Sequence, residues 1–416
     1  MTELAKKLIA RDHRISITIL IVKFPLTPEV NDRIQSLAAS VAGIRFVDLP
    51  QLDLPSPDTF QTREAMVSLF LESHKPYVKN TITQLFFTPE SSDSKPARLA
   101  GLFIDVVCTP MIDVANELGI PAYIFFASSA CMLGVFLHLP VLDTNIQSDF
   151  KDSKTEFTIP GFNNPVPPQV LPMPFWSKKQ DGFPWFVYHG RRFREAKGII
   201  VNTFTELEPH AVHSLSLDGA NPPVYPVGPL LDLQGLIHSE SDQTIIKTWL
   251  DDQPSSSVVF LCFGSMGSFS ALQVKEIAIG LERSGHRFLW SLRQPPQEGK
   301  FSPTAYTNFE EILPEGFLNR TAGRAWPLYG EQHLNAFEMV KELGGLVVEL
   351  SLDYRGGDDL VKAEDVERAI GCLMDSDCLV RKKVKEMEEK SKMVLMDGGS
   401  SFNSLGSLIL DLMDES

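Results

Sequence analysis

The side chains best suited to bind a polar ligand are Glu331 and Gln332, in the segment that opens with Trp326-Pro327. A carboxylate acceptor beside an amide, which both donates and accepts, suits two neighbouring hydroxyl groups. Taken alone, the same pair also fits the ordinary start of a helix. At this point the sequence leaves a diol-binding pair and a helix start as alternatives.

A second candidate, Ser265, lies in the run Phe263-Gly264-Ser265-Met266-Gly267, between a predicted buried strand and a predicted helix. Backbone amides and a helix start at such a turn suit an anion such as a phosphate. A plain Gly/Ser turn is the alternative. The run lacks the first glycine of G-x-S-x-G, which excludes a serine hydrolase. No G-x-G-x-x-G follows a predicted strand, which excludes a nicotinamide-dependent enzyme.

Composition excludes several further classes of function. The 416-residue chain has a net charge of −15 and a pI near 5.1 without a basic stripe, so we expect no nucleic-acid partner. Its five cysteines contain no C-x-x-C pair, which predicts reduced thiols and no metal site. No signal peptide and no membrane-length apolar run occur. We therefore predict a cytoplasmic protein without a membrane span, a metal or another cofactor.

The elements that would position these residues alternate between strands and helices. Short apolar runs predict strands at residues 15–22, 43–49, 99–107, 121–127 and 198–203. Helical patterns separate them at residues 4–10, 62–85 and 110–118. This alternation predicts a parallel sheet covered by helices. Asp105 ends the third strand, and on the residues alone a carboxylate that caps the following helix is the alternative to a functional role.

A proline-rich stretch at residues 222–229, with a polar tail to 242, predicts a linker to a second domain. Beyond it, strands are predicted at 257–263 and 286–290, on either side of a helix that Ser270 caps. Three more helices follow, at 362–374, 380–396 and 401–413. We therefore predict an N-terminal domain over residues 1–225, a linker over 226–243, a second domain over 244–400 and a C-terminal helix over 401–416.

Several segments together resemble the plant UDP-glycosyltransferases of glycosyltransferase family 1. The similarity covers nearly the whole chain, and the matching segments occur in the order of the family. They are residues 102–105 (Leu-Phe-Ile-Asp), 201–208 (Val-Asn-Thr-Phe-Thr-Glu-Leu-Glu), 225–229 (Tyr-Pro-Val-Gly-Pro), 249–265, 313–317 (Leu-Pro-Glu-Gly-Phe) and 326–337.

The resemblance implies an α/β fold of two doubly wound, Rossmann-like domains, known as GT-B, each incomplete here. It implies transfer of a sugar, glucose, from a UDP-sugar to a hydroxyl of a small plant metabolite such as a phenolic or flavonoid. Asp105 would orient a catalytic histidine and stabilise its charged form. Ser265 would contact the diphosphate, and Glu331 and Gln332 the sugar hydroxyls. UDP-sugar and acceptor are the implied partners of a monomer.

Two parts of the family pattern are missing, and the first is at the N-terminus. The chain starts near the helix that follows the family's first strand and catalytic histidine, so roughly twenty residues, one strand and a loop, are absent. His13 lies among charged residues and is expected in a surface loop, and no other histidine occupies the base position. Losing the base would cost a factor on the order of 10²–10⁴ in rate. Because a doubly wound sheet places its first strand centrally, unpaired neighbouring strands are also expected.

The second missing part precedes Trp326, which follows Arg324 after a single alanine. Most of the nucleotide-sugar motif, including the tryptophan that stacks on uracil, is deleted near residues 324–326. Because stacking and charge-assisted phosphate contacts supply most nucleotide affinity, we expect very weak UDP-sugar binding. Two hypotheses remain open. The chain is either a truncated UDP-glycosyltransferase, or a non-catalytic remnant or splice or gene-model variant that binds small hydrophobic molecules or partners.

Overall fold

The structure, a computed structural model, shows two compact units. The first comprises residues 1–236 and 387–416, and the second comprises residues 237–386. The residues described are 1–25, 28–87, 98–217, 219–232, 240–263, 268–296, 304–306, 308–321, 337–343, 345–348 and 360–414. Within these ranges no helix combines the length and the apolar character that a membrane span requires. No disulfide joins the five cysteines, all of which lie in the described ranges.

The first unit alternates strands with helices, as its apolar runs predict. Its elements up to residue 226 are α1 (Thr2–Arg11), β1 (Ile17–Ile21), α2 (Pro28–Ser40), β2 (Ile44–Asp48), α3 (Arg63–Glu72), α4 (Lys75–Phe86), β3 (Leu102–Asp105), α5 (Met111–Leu118), β4 (Ala122–Phe126), α6 (Ala130–Asn145), α7 (Gly182–Arg192), β5 (Gly198–Val201), α8 (Pro209–Leu217) and β6 (Val224–Pro226). All five predicted strands are present, each shorter than its apolar run, because the ends of the runs lie in the loops.

The remaining elements complete the second unit and return to the first. They are α9 (Glu240–Asp251), β7 (Val258–Leu261), α10 (Ala271–Arg283), β8 (Arg287–Trp290), β9 (Arg293–Gln294), β10 (Thr304–Ala305), α11 (Phe317–Thr321), a π-helical turn (Glu338–Glu342), α12 (Ala363–Met374), α13 (Leu379–Met393) and α14 (Ser400–Met413). The helix α9 begins inside the predicted linker. The three predicted C-terminal helices correspond to α12, α13 and α14.

The strands of the first unit form parallel sheets. The strands β3, β4, β5 and β6 are hydrogen-bonded in that order, and β1 pairs separately with β2. At the end of β3, Asp105 lies opposite Phe125 of β4. In the ranges given above, β1 has β2 as its one strand partner, and β3 has β4. The predicted parallel sheet is therefore present in two parts.

The strand β6 was not among the strands predicted from sequence. Its residues lie in the proline-rich stretch at the boundary between the predicted domain and linker, yet Ile200 pairs with Tyr225 and Val201 with Pro226. Proline is tolerated on an edge strand, where its missing N–H faces away from the neighbouring strand. Because β6 pairs with β5 alone among the described strands, it can end on Pro226 without losing a ladder hydrogen bond.

The core of the first unit lies on both faces of β4, which is buried along its whole length. On one face, Tyr123 packs in a cluster with Leu8 of α1 and Leu408 of α14. On the other face, Phe126 packs against Phe136 of α6, with 5.6 Å between the ring centroids. Successive side chains of a strand point to opposite faces, so one short strand can support two apolar layers.

The helix α14 belongs to the first unit together with residues 387–399, whereas the sequence assigned residues up to 400 to the second domain. Its apolar stripe, which includes Leu408, lies in the cluster around Tyr123. Two hydrogen bonds fix it: Ser401 Oγ donates to Gly228 O at 2.6 Å, and Tyr123 Oη donates to Asp411 at 2.6 Å. An amphipathic helix can pack on either domain, so its sequence pattern alone does not assign it to one.

The second unit has a smaller core around the parallel pair β7 and β8. Phe288 and Trp290 of β8 are fully buried in a cluster with residues of α10 and α12. The two helices approach closely at Gly280, where an added Cβ would lie 2.6 Å from Val366 Cβ. Ser270 caps α10 as predicted, since its side chain accepts from the backbone of Gln273 at 3.3 Å.

Candidate active site

Asp105 lies at the carboxyl end of β3, the edge of a parallel sheet where ligands bind in open α/β folds. Its side chain is half-buried. The Val106 N–H donates to Asp105 Oδ1 at 2.7 Å, and the Cys108 N–H donates to the Asp105 carbonyl at 2.9 Å. These two bonds form a tight turn, which fixes the direction of the carboxylate.

The helix-capping alternative for Asp105 is wrong. The following helix, α5, begins at Met111 after Pro110 and has no side-chain cap. The intervening turn places the carboxylate well before the first helical amides. Proline at this position suits a helix start without a cap, because its fixed φ matches the helix and it has no N–H to satisfy. Asp105 is therefore available for a role other than helix capping.

Burial raises the pKa of the Asp105 carboxyl above its ordinary value, although the Val106 N–H opposes the shift. Removal from water disfavours the charged form of a carboxyl group. Burial likewise raises the pKa of the neighbouring Cys108 thiol to about 12, with a further contribution from the charge of Asp105. The thiol therefore stays protonated and is a poor nucleophile. In this turn, Asp105 rather than Cys108 is therefore the group suited to acid–base chemistry.

The loops after β4, β5 and β6 are tied to one another at the same edge of the sheet. The buried Glu208 carboxylate accepts from the backbone of Ala130 at 3.0 Å and of Cys131 at 2.8 Å, at the start of α6. A carboxylate is favoured at a helix N-terminus by the helix dipole. Asn202 Oδ1 accepts from the backbone of Leu230 at 2.7 Å. The edge that carries Asp105 is thus built from well-anchored loops.

A buried histidine supports the loop after β3, and sequence reasoning missed it. His189 of α7 has no exposed surface, and its Nδ1 lies 2.6 Å from Thr109 Oγ1. Its Nε2 lies 3.3 Å from Ser68 Oγ of α3. Burial lowers the pKa of His189 to about 4, so the ring is neutral at pH 7. Because Thr109 is 80 residues away in the chain, no local motif indicates this contact.

His13 is exposed, as predicted, in the turn between α1 and β1. The three candidate donor-site residues, Ser265, Glu331 and Gln332, lie outside the described residues. The described elements nearest to Ser265 in the chain are β7, which ends at Leu261, and α10, which begins at Ala271. Those nearest to Glu331 and Gln332 are α11 and the π-helical turn.

A cavity of about 360 Å³ opens in the second unit where α10 begins and β9 ends. Phe269 and Tyr306 supply aromatic walls, and Gln294, Asn308 and Glu311 supply polar groups. The Asn308 amide donates to the Glu311 carboxylate at 2.9 Å, which holds both side chains at the rim.

Comparison with known proteins places the chain in a family. No family model matches it. It is 44% identical to UDP-glycosyltransferase 71K1 of Malus domestica over 462 aligned positions, covering 99% of this chain and 95% of the relative. It is 43% identical to UDP-glycosyltransferase 43 of Pueraria montana var. lobata, with the same coverage.

Solved structures agree. UGT71G1 of Medicago truncatula, complexed with UDP-glucose, matches with a TM-score of 0.83 and 36% identity, covering 99% of this chain and 95% of that one. A UGT transferase of Siraitia grosvenorii in complex with UDP matches with a TM-score of 0.83 and 39% identity, covering 99% and 96%. The chain therefore belongs to the plant UDP-glycosyltransferases, hexosyltransferases of the GT-B fold that use a UDP-sugar as co-substrate.

Proposed function

We propose that this chain transfers glucose from UDP-glucose to a hydroxyl of a phenolic or flavonoid metabolite. The observation that carries the proposal is the half-buried Asp105 carboxylate, fixed by Val106 at the ligand-binding edge of the parallel sheet. Relatives support the choice of substrates: a protein of Fragaria ananassa named UDP-glucose flavonoid 3-O-glucosyltransferase 6 is 43% identical over 98% of this chain.

The proposed site residues act on two substrates, the acceptor and the UDP-sugar donor. Asp105 accepts the proton of the acceptor hydroxyl through its carboxylate, because no histidine of this sequence occupies the family's base position. The acceptor oxygen attacks the anomeric carbon as UDP leaves, which inverts the configuration at that carbon. Ser265 contacts the diphosphate, while Glu331 and Gln332 bind the sugar hydroxyls. The chain works as a cytoplasmic monomer without a metal, with the acceptor domain in the first unit and the donor domain in the second.

A second candidate function, non-catalytic binding, is favoured by one observation. The alignment to the Malus relative runs over 462 positions, whereas the chain has 416 residues, so at least 46 positions of the relative lack a counterpart here. A deletion near residues 324–326 would account for a gap of this kind. If it removes the nucleotide contacts, the chain would bind small hydrophobic molecules or partners without transferring sugar.

Calorimetric titration with UDP-glucose separates the two functions. Under the proposal, the wild-type chain binds UDP-glucose, and Gln332→Ala weakens binding because it removes a sugar contact. Asp105→Asn keeps binding but loses transfer to a phenolic acceptor by a factor on the order of 10²–10⁴. Glu310→Gln, which alters an exposed carboxylate, serves as the matched control. A folded wild-type chain that binds no UDP-glucose would establish the non-catalytic alternative.

A further inference from the structure

The loop from Val106 to Pro110 joins Asp105 to α5, and a buried side chain anchors it. Thr109 has no exposed surface, and its Oγ1 lies 2.6 Å from His189 Nδ1. The Thr109 carbonyl also accepts from the Ile112 N–H at 3.0 Å, which continues the chain into α5. A displacement of Thr109 would therefore move both the start of the helix and the turn that carries Asp105.

The hydrogen bonds assign one tautomer to His189. Ser68 Oγ donates to the Glu64 carbonyl at 2.8 Å, so its oxygen can accept from His189 Nε2–H but cannot donate to it. The other ring nitrogen, Nδ1, is then an acceptor for the Thr109 hydroxyl. Each proton in this series of hydrogen bonds, from Thr109 through His189 to Ser68, has one acceptor, and the imidazole ring is neutral. A neutral histidine fits a site without exposed surface, where a charge would be costly.

The helix α7 that carries His189 is itself held firmly. At the next residue, Gly190, an added Cβ would lie 2.3 Å from the Phe136 carbonyl of α6, so the two helix backbones are in close contact. One turn later, Arg192 donates to Asp113 of α5 at 2.6 Å. Lys75 of α4 donates to the other oxygen of Asp113 at 2.9 Å. Two hydrogen bonds, Thr109 to His189 and Arg192 to Asp113, therefore connect α7 to the segment after β3.

We propose that His189 is a positioning residue for Asp105, acting through Thr109 to hold the turn after β3 in place. The inference rests on the proposed role of Asp105 in sugar transfer. His189 touches neither substrate in this scheme. It fixes where the carboxylate points, and a displacement of about 1 Å at a reacting group can cost on the order of 10² in rate.

The test compares Thr109→Val, which removes the hydroxyl donor at nearly constant shape, with Thr109→Ser, which retains it. Leu215→Ala in α8 is the control for general loss of stability, because this leucine is buried but takes no part in the hydrogen bonds among Thr109, His189 and Ser68. Carboxyl carbon NMR of the full chain follows the titration of Asp105, whose signal is the one missing from Asp105→Asn. Amide hydrogen exchange of Val106 and Cys108 reports on the turn itself.

In Thr109→Val, we expect the Asp105 pKa to fall towards its ordinary value, because a loosened turn admits water. Exchange at Val106 and Cys108 should rise roughly tenfold, the effect of losing one buried hydrogen bond. Thr109→Ser should restore both readings, and Leu215→Ala should leave the Asp105 titration unchanged. Sugar transfer by Thr109→Val should fall roughly 10- to 100-fold in kcat with the KM for UDP-glucose unchanged.

Two outcomes separate the role of His189 from the proposed function. If Thr109→Val keeps the wild-type titration of Asp105 and the wild-type exchange at Val106 and Cys108, His189 does not position the carboxylate and the inference is overturned. If the wild-type chain transfers no sugar, the proposed function fails, while the NMR and exchange measurements still decide whether His189 and Thr109 hold Asp105 in place.

Discussion

Lowering the pH from 6.5 to 4 is expected to destabilise the first unit, because His189 must then be protonated inside the core. Burial lowers the pKa of His189 from 6.5 to about 4. An unfolded chain takes up this proton near pH 6.5, whereas the folded chain resists it until about pH 4. The stability that depends on a neutral His189 is therefore fully present above pH 6.5 and is lost as the pH falls to 4.

The size of this loss in stability follows from the shift in the pKa of His189. At 1.36 kcal/mol per pKa unit, the free energy of unfolding should fall by about 3 kcal/mol across this range from His189 alone. Carboxylates also titrate as the pH drops, so the informative quantity is the difference between wild type and a variant that cannot be protonated. His189→Gln starts from a lower stability at pH 7, but its pH dependence should be flatter by about 3 kcal/mol.

Urea unfolding at fixed ionic strength, followed by tryptophan fluorescence, measures this difference. Trp185 is a local reporter, since its ring centroid lies 6.0 Å from that of His189. His210→Gln, which alters an exposed histidine on α8, should behave like the wild type and serves as the control. If wild type and His189→Gln lose the same free energy between pH 6.5 and 4, the reasoning from burial is refuted.

Three further predictions concern stability and are checked by urea unfolding. Asp105→Asn should raise the free energy of unfolding at pH 7, because burial raises the pKa of this carboxyl and its ionised form destabilises the folded chain. The gain should vanish below pH 3.8, the ordinary pKa, where wild-type Asp105 is protonated in both the folded and the unfolded state. Gly134→Ala should lower the free energy of unfolding by about 1–3 kcal/mol, because the new Cβ would lie 2.0 Å from the Pro160 carbonyl. Gly371→Ala, in α12, should instead raise the free energy of unfolding by about 0.5–1 kcal/mol, because no atom lies within 4 Å of the added Cβ. Equal effects of the two glycine variants would contradict the packing argument. Leu408→Ala should cost about 2–5 kcal/mol, because this side chain of α14 is fully buried; a cost below 1 kcal/mol would mean that α14 does not complete the core of the first unit.

Much of the fold could be predicted from the sequence, because short apolar runs and amphipathic stretches have local periods. The five predicted strands of the first half and the Ser270 cap are examples. The strand β6 was missed because its prolines resemble a linker, and its position at the sheet edge cannot be read from local sequence. The unit to which α14 belongs also depends on tertiary packing.

The candidate site was predicted less completely. Asp105 was identified at the end of β3 with a helix cap as the alternative interpretation, and the structure has a backbone turn instead of a cap. The contact between His189 and Thr109 joins residues 80 positions apart, so no spacing rule reveals it. Ser265, Glu331 and Gln332 remain predictions, because they lie outside the described residues.

The return of α14 to the first unit has a consequence for synthesis on the ribosome. Leu408 and its neighbours are made after residues 237–386, yet they cover Tyr123 and Leu8, which are made before those residues. Residues 237–386 can complete their own unit before α14 emerges, so the second unit can finish folding ahead of the first. Until translation passes Leu412, the apolar surface around Tyr123 is open to solvent and to chaperones.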